Sequence, residues 1–114
     1  MSSAAKIIPD RLRENTRNFI FLDLNVDSDY NFKEFKDLII SLRFNYTLRF
    51  VTLVRNTHDE ETGKPVVQRT SSELRTLVKE IVKLPRLEML DFENFADSEL
   101  NQFEDLLSAS KQVQ

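Results

Sequence analysis

One six-residue pattern recurs three times in this chain and constrains its fold more than any other feature. It occupies residues 19–24, 48–53 and 87–92, and each copy has a large apolar residue at its first, fourth and sixth positions. The first two copies begin 29 residues apart, and the third begins 39 residues after the second. A pattern that recurs at intervals of about 20–50 residues is typical of a repeat architecture.

Each copy is followed by a polar stretch and then by apolar residues at helical spacing. The copies themselves are short and apolar, which predicts strands, so the chain is predicted to fold as β-α units. Ser71 or Ser72 is the expected N-cap of the second helix, and Pro85 is expected to end it. The predicted apolar faces of the three helices are Phe32, Phe35, Leu38, Ile39 and Leu42; Leu74, Leu77, Ile81, Val82 and Leu84; and Leu100, Phe103, Leu106 and Leu107.

The helical pattern of the middle unit is displaced by about ten residues relative to its neighbours, which predicts an insertion loop over residues 56–71. A loop of this length is either functional or a tolerated insertion, and the sequence leaves both open. The predicted organisation is a flexible lead-in over 1–9, one domain over 10–110 and a tail over 111–114. Within the domain, residues 12–15 (LREN) resemble residues 42–45 (LRFN), which suggests an incomplete preceding repeat.

The middle copy fits the pattern Leu-x-x-Leu-x-Leu-x-x-Asn with Leu48, Val51, Leu53 and Asn56. On this pattern, residues 12–110 resemble the leucine-rich repeat family, in particular its ribonuclease-inhibitor-like repeats of about 28–29 residues. The resemblance implies an α/β fold, a short solenoid of about three β-α units with a parallel sheet on the concave side and helices on the outer face. Asp27 and Phe95 stand where the pattern has Asn.

If the first, fourth and sixth positions of each strand point inward, the intervening residues face the other side of the sheet. An apolar row beside an acidic row would suit a protein-binding strip. The alternative is that Phe21 and Phe50 pack beneath a flanking segment such as residues 1–18. The predicted partner-binding rows are Phe21, Phe50 and Met89; Asp23, Thr52 and Asp91; and Asn25, Val54 and Glu93.

No residue pattern supports catalysis, a cofactor or a metal. The run from His58 to Glu61 lacks the ligand spacing that fixes a metal, and a solvated loop explains it better. Asp23 and Asp91 are predicted to lie two strands apart with no His, Lys or nucleophile beside them. The single Gly excludes a glycine-rich phosphate loop.

Composition narrows the function classes further. The net charge of −3 argues against a nucleic-acid surface, and no apolar run approaches the roughly 20 residues that span a bilayer. The absence of Cys fits a reducing compartment, so we expect a cytoplasmic protein. The leading hypothesis is a non-enzymatic protein-interaction module, a scaffold or subunit of a larger complex. The alternative is a compact α/β regulatory domain resembling anti-sigma-factor antagonists. It predicts a mixed sheet and needs a switch Ser at the start of a helix after a strand, for which Ser28 is the candidate.

Overall fold

The computed structural model describes residues 4–27, 32–59 and 62–109. Five helices and three strands follow one another along these residues, alternating up to β3. The elements in chain order are α1 (Ala4–Glu14), β1 (Phe21–Asn25), α2 (Phe32–Leu42), β2 (Phe50–Val54), α3 (Ser71–Ile81), β3 (Met89–Glu93), α4 (Asp97–Asn101) and α5 (Glu104–Ala109). The predicted combination of strands and helices in a mixed α/β fold is confirmed.

The three strands form one parallel sheet in the order β1-β2-β3. Each strand begins two residues later than the sequence pattern predicted, because the first residue of each copy lies in the segment that leads into the strand. These leading residues (Phe19, Leu48 and Leu87) are nevertheless buried. The predicted parallel sheet is confirmed. The described residues do not form the mixed sheet that the regulatory-domain alternative predicted.

One face of the sheet is the core. Along β1 and β2 burial alternates, so that Leu22, Leu24, Val51 and Leu53 are buried while the residues between them reach the surface. This alternation follows from the pleat, which sends successive side chains to opposite faces. The buried strand residues belong to a single apolar cluster with helical side chains, among them Phe35, Leu38, Leu42, Leu74, Leu77, Val78 and Ile81.

The predicted flexible lead-in over residues 1–9 is wrong for residues 4–9, which belong to α1. The prediction treated Pro9 as the end of a non-helical segment, since proline disfavours a helix interior. In the structure Pro9 lies inside α1 and is buried. Packing therefore outweighs the local preference here. Residues 1–3 and the predicted tail, 111–114, lie outside the described residues.

The N-terminus of α3 also differs from the prediction. The N-cap is Thr70 rather than Ser71 or Ser72, and it forms a capping box with Glu73. The Glu73 backbone N–H donates to the Thr70 hydroxyl at 3.2 Å, and the Thr70 N–H donates to the Glu73 carboxylate at 2.9 Å. The capping box thereby satisfies two backbone N–H donors at the start of the helix. Neither Ser71 nor Ser72 could form such a box, because neither is followed three residues later by an acidic residue.

The third predicted helix is divided into α4 and α5 at Phe103. Phe103 is 1% exposed, and its ring stacks on that of Phe92 with the centroids 5.9 Å apart. The break between the two helices therefore lies at a core residue.

Two asparagines join the first two helical units. Asn45 donates from Nδ2 to the Leu12 carbonyl at 3.1 Å, and its Oδ1 accepts from the N–H groups of Thr47 and Leu48. Asn15, which has a positive φ of 51°, donates to the Phe44 carbonyl at 2.9 Å. The similarity of segments 12–15 and 42–45 thus corresponds to two adjacent turns that hydrogen-bond to each other.

Candidate functional site

The strand register aligns the nine residues of the predicted strip into three rows. Phe21 pairs with Phe50 and Phe50 with Met89; Asp23, Thr52 and Asp91 form the second row; Asn25, Val54 and Glu93 form the third. We call these the apolar row, the middle row and the last row, and the nine residues together the open face. Neighbouring members of a row lie on strands about 4.8 Å apart, and successive rows are about 7 Å apart along the strands.

The apolar row is exposed. Phe21 is 65% exposed and Met89 is 43% exposed, while Phe50 is half-buried between them. The rings of Phe21 and Phe50 stack with centroids 4.9 Å apart and an interplanar angle of 18°. Since Phe21 remains largely in solvent, residues 8–18, whose side chains the structure describes, do not cover it. The rest of the flanking segment named in the alternative, residues 1–7, has no described side chains.

Carboxylates dominate the other two rows. Asp23, Asp91 and Glu93 are exposed, and none of the three forms an ion pair with any residue in the described ranges. Thr52 and Val54 separate them on the central strand and are half-buried. The two rows therefore present three negative charges and no positive charge beside the apolar row.

Arg49 lies at the rim of the open face, immediately before β2. Its guanidinium is 5.7 Å from the centre of the Phe50 ring, and its Nε donates to the Glu88 carboxylate. Arg49 makes a cation–π contact with the Phe50 ring. Because Glu88 neutralises the charge of Arg49, the rim carries no net positive charge there.

A buried ionic cluster holds the segments that follow the strands. The sequence pattern did not predict this cluster. Asp27 is fully buried, and each of its carboxylate oxygens accepts from Arg55 at 3.0 Å. The same oxygens accept from the backbone N–H groups of Asn56 at 3.1 Å and Arg69 at 2.9 Å. Arg55 also donates to Glu99. We call Asp27, Arg55, Arg69 and Glu99 the Asp27 cluster.

The hydrogen bond from Arg55 to Asp27 raises the pKa of the Arg55 guanidinium above its ordinary value. Asp27 belongs to the first unit, Arg55 and Arg69 to the second and Glu99 to the third, so the cluster connects all three at one end of the sheet. The available sequence signal was Asp27 itself, which occupies the position of the pattern's Asn and, like an Asn, accepts a backbone N–H from the next unit.

The insertion loop predicted over 56–71 is a loop in its described part up to Thr70, with an isolated antiparallel bridge between His58 and Pro65, and Ser71 already belongs to α3. Gly63 has a φ of 71°, and its N–H donates to the Asp59 carbonyl at 2.8 Å. At the end of the loop, the backbone N–H of Arg69 donates to the buried Asp27 carboxylate. The Arg69 guanidinium lies 4.8 Å from the centre of the Phe35 ring. The end of the loop is therefore a structural element that is anchored to the core.

Among the described residues, no group of three or more His, Asp or Glu side chains is placed to hold a metal ion. His58 bonds the neighbouring Thr57 hydroxyl, and Asp23 and Asp91 lie on the two outer strands with Thr52 between them. The proposed switch residue of the regulatory alternative, Ser28, lies outside the described residues.

A surface groove of about 380 Å³ between α2 and α3 is lined by Phe35, Ile39, Ile40, Glu73 and Thr76, among others.

Each helix within the described ranges is too short or too polar to cross a lipid bilayer. Comparison of this chain with protein-family models, with curated proteins and with solved structures finds no match.

Proposed function

We propose that this chain is a non-enzymatic protein-interaction module and that it binds another protein through the open face. The observation that carries the proposal is the stacked pair of Phe21 and Phe50, with Phe21 65% exposed at the start of the outer strand β1. Exposed aromatic side chains of this kind are enriched at binding hot spots, where burial by a partner removes them from water.

The support beneath the open face makes it suitable for binding. The residues that alternate with it (Leu22, Leu24, Val51, Leu53 and Leu90) are buried in the core, and the Asp27 cluster holds the strand ends. A rigid face loses little conformational entropy on association, so the energy of burying the aromatic rings is retained as affinity.

The fold that we propose for this module is a short leucine-rich-repeat-like solenoid. Three features support it: strands that pair in chain order, equivalent positions of the repeated pattern in register, and hydrogen bonds between neighbouring units. A stack of about three units has few neighbours to bury its ends, which suits a subunit or accessory element of a larger complex. With no Cys in the chain, a reducing compartment such as the cytoplasm is the proposed location.

Affinity capture from the extract of the native cell, with photo-crosslinking from a benzoylphenylalanine at position 52, tests the proposal. We expect a protein that crosslinks to wild type and is lost with Phe21→Glu and with Phe21→Glu/Phe50→Glu. Phe44→Glu is the matched control, because Phe44 is 60% exposed and lies in the turn that follows α2, outside the nine residues of the open face.

Circular dichroism of each variant shows whether the fold is retained, and Phe21→Glu alone serves if the double variant unfolds. A partner captured equally by wild type and by the folded Phe21→Glu variant would contradict the proposal and direct attention to the 56–71 loop.

A further inference from the structure

The charge pattern of the open face identifies the chemistry of its partner. The nine side chains comprise three apolar residues in one row and three carboxylates in the two adjoining rows, with no basic residue among them. Resting on the proposed function, we infer that the open face binds a segment of another protein that carries a large apolar or aromatic side chain with Lys or Arg beside it.

The carboxylates are available for such a partner. Asp23, Asp91 and Glu93 are exposed and have no ion-pair partner in the described residues, whereas the other acidic residues around the sheet are paired: Asp27 and Glu99 with Arg55, and Glu88 with Arg49. Three unpaired like charges on one face repel one another and attract a basic segment from solution. The same three carboxylates would repel an acidic or phosphate-bearing partner.

The spacing specifies the partner further. The apolar and middle rows are about 7 Å apart, which is the distance between side chains at positions i and i+2 of an extended peptide. Asp23 and Asp91 flank Thr52 on the two outer strands, about 10 Å from each other. A segment with an apolar residue and a Lys or Arg two positions away would place the first on Phe21 and Phe50 and the second on Asp23 or Asp91.

Within the described residues, no Lys or Arg of the same chain forms an ion pair with Asp23, Asp91 or Glu93. Arg13 pairs with Asp37 at 2.8 Å, Arg11 lies over the Phe19 ring at 4.4 Å, and Arg75 pairs with Asp105. A second copy of the chain would be a different occupant of the open face, and sedimentation of the purified protein detects it.

Selection from a random twelve-residue peptide library on the folded, purified chain tests the inference. We expect peptides selected by wild type to combine an aromatic or large aliphatic residue with Lys or Arg, most often two positions apart. Synthetic copies of the selected peptides should bind at least about tenfold more weakly to Phe21→Glu and to Asp23→Lys/Asp91→Lys, while Phe44→Glu leaves binding unchanged. Asp23→Asn/Asp91→Asn is the milder variant if charge reversal affects folding.

The outcomes separate the two proposals. Peptides that require Phe21 but bind the charge-reversed variant as well as wild type would overturn the basic partner and leave the interaction module standing. Peptides that bind independently of Phe21, or none at all, would overturn both. Self-association lost with Phe21→Glu would replace the basic segment by a second copy of this chain.

Discussion

Arg55 donates through Nε and Nη2 to the two carboxylate oxygens of Asp27, at 3.0 Å each, although the two residues follow different strands. The Asp27 side chain is fully buried, and the Arg55 side chain is 10% exposed. A buried ion pair gains little over apolar packing, because both charges leave water, but removing one partner leaves the other uncompensated. The pair is therefore a point at which a single substitution tests how the strand ends are held.

Asp27→Ala is expected to lower the free energy of unfolding by about 3–5 kcal/mol, because it leaves a buried guanidinium and two backbone N–H groups without their acceptor. Urea denaturation followed by circular dichroism measures the loss. Asp23→Ala is the matched control, since Asp23 is exposed and unpaired, and it should change stability by less than about 0.5 kcal/mol. Equal effects of the two substitutions would rule out a structural role for the cluster.

The capping box at Thr70 and Glu73 predicts a pH-dependent contribution to stability. Hydrogen bonding, first to the Thr70 backbone N–H, lowers the pKa of Glu73 below its ordinary value of 4.5. Because the folded-state pKa is the lower one, the stabilisation is complete above the ordinary value and is lost as the pH falls through the folded value. Glu73→Gln keeps the hydrogen-bonding shape without the charge, so it should cost about 0.5–1 kcal/mol at neutral pH.

We expect this difference between wild type and Glu73→Gln to shrink as the pH falls below 4.5, because Glu73 becomes neutral in both states. Urea midpoints measured from pH 7 to pH 3 give the trend. Glu104→Gln, at an exposed position, controls for the removal of one negative charge from the protein. A difference that stays constant over this range would show that the charge of Glu73 does not contribute.

The central strand allows a direct test of which face of the sheet is buried. Leu53 is fully buried and Thr52, its neighbour, is half-buried on the open face. Leu53→Ala should lower the free energy of unfolding by about 2–5 kcal/mol through lost packing and a cavity. Thr52→Ala should cost less than about 1 kcal/mol. Denaturation of the two variants compares them, and the reverse order of effects would mean that the face assignment is inverted.

Asn45 provides a test of the contact between the first two units. Its side chain is buried and bonds the Leu12 carbonyl and the backbone N–H groups of Thr47 and Leu48. Asn45→Ala leaves these groups unpaired and should cost at least about 2 kcal/mol, compared with a few tenths for Asn18→Ala at an exposed site. Thermal unfolding of both variants decides between a structural contact and a dispensable one.

The open face was predictable from the sequence because strand pleating has a period of two, so the apolar positions of the pattern determine where the intervening residues point. This reasoning placed Phe21, Phe50 and Met89 in one row, which the strand register confirms. It needed only the identity of the repeated positions and not the boundaries of the strands, whose starts were misplaced by two residues and whose ends were misplaced by one.

The burial of Arg55 and Arg69 was not predictable in this way. Charged residues near a polar loop are ordinarily solvated, and their burial depends on Asp27, which precedes Arg55 by 28 residues in the chain. The same applies to Pro9, whose position inside α1 depends on packing rather than on local preference. Such features arise from tertiary contacts that a periodic pattern does not encode.

The dissociation constant of the partner captured from the native extract tests the central claim most directly. It is measured by titration calorimetry with wild type, Phe21→Glu and Phe44→Glu. If the open face is the binding surface, Phe21→Glu should weaken binding by about 30-fold or more, the effect of a hot spot of about 2 kcal/mol, and Phe44→Glu should leave it within about twofold. Equal affinities for wild type and a folded Phe21→Glu variant would contradict the account, because the exposed aromatic pair would then have no part in binding.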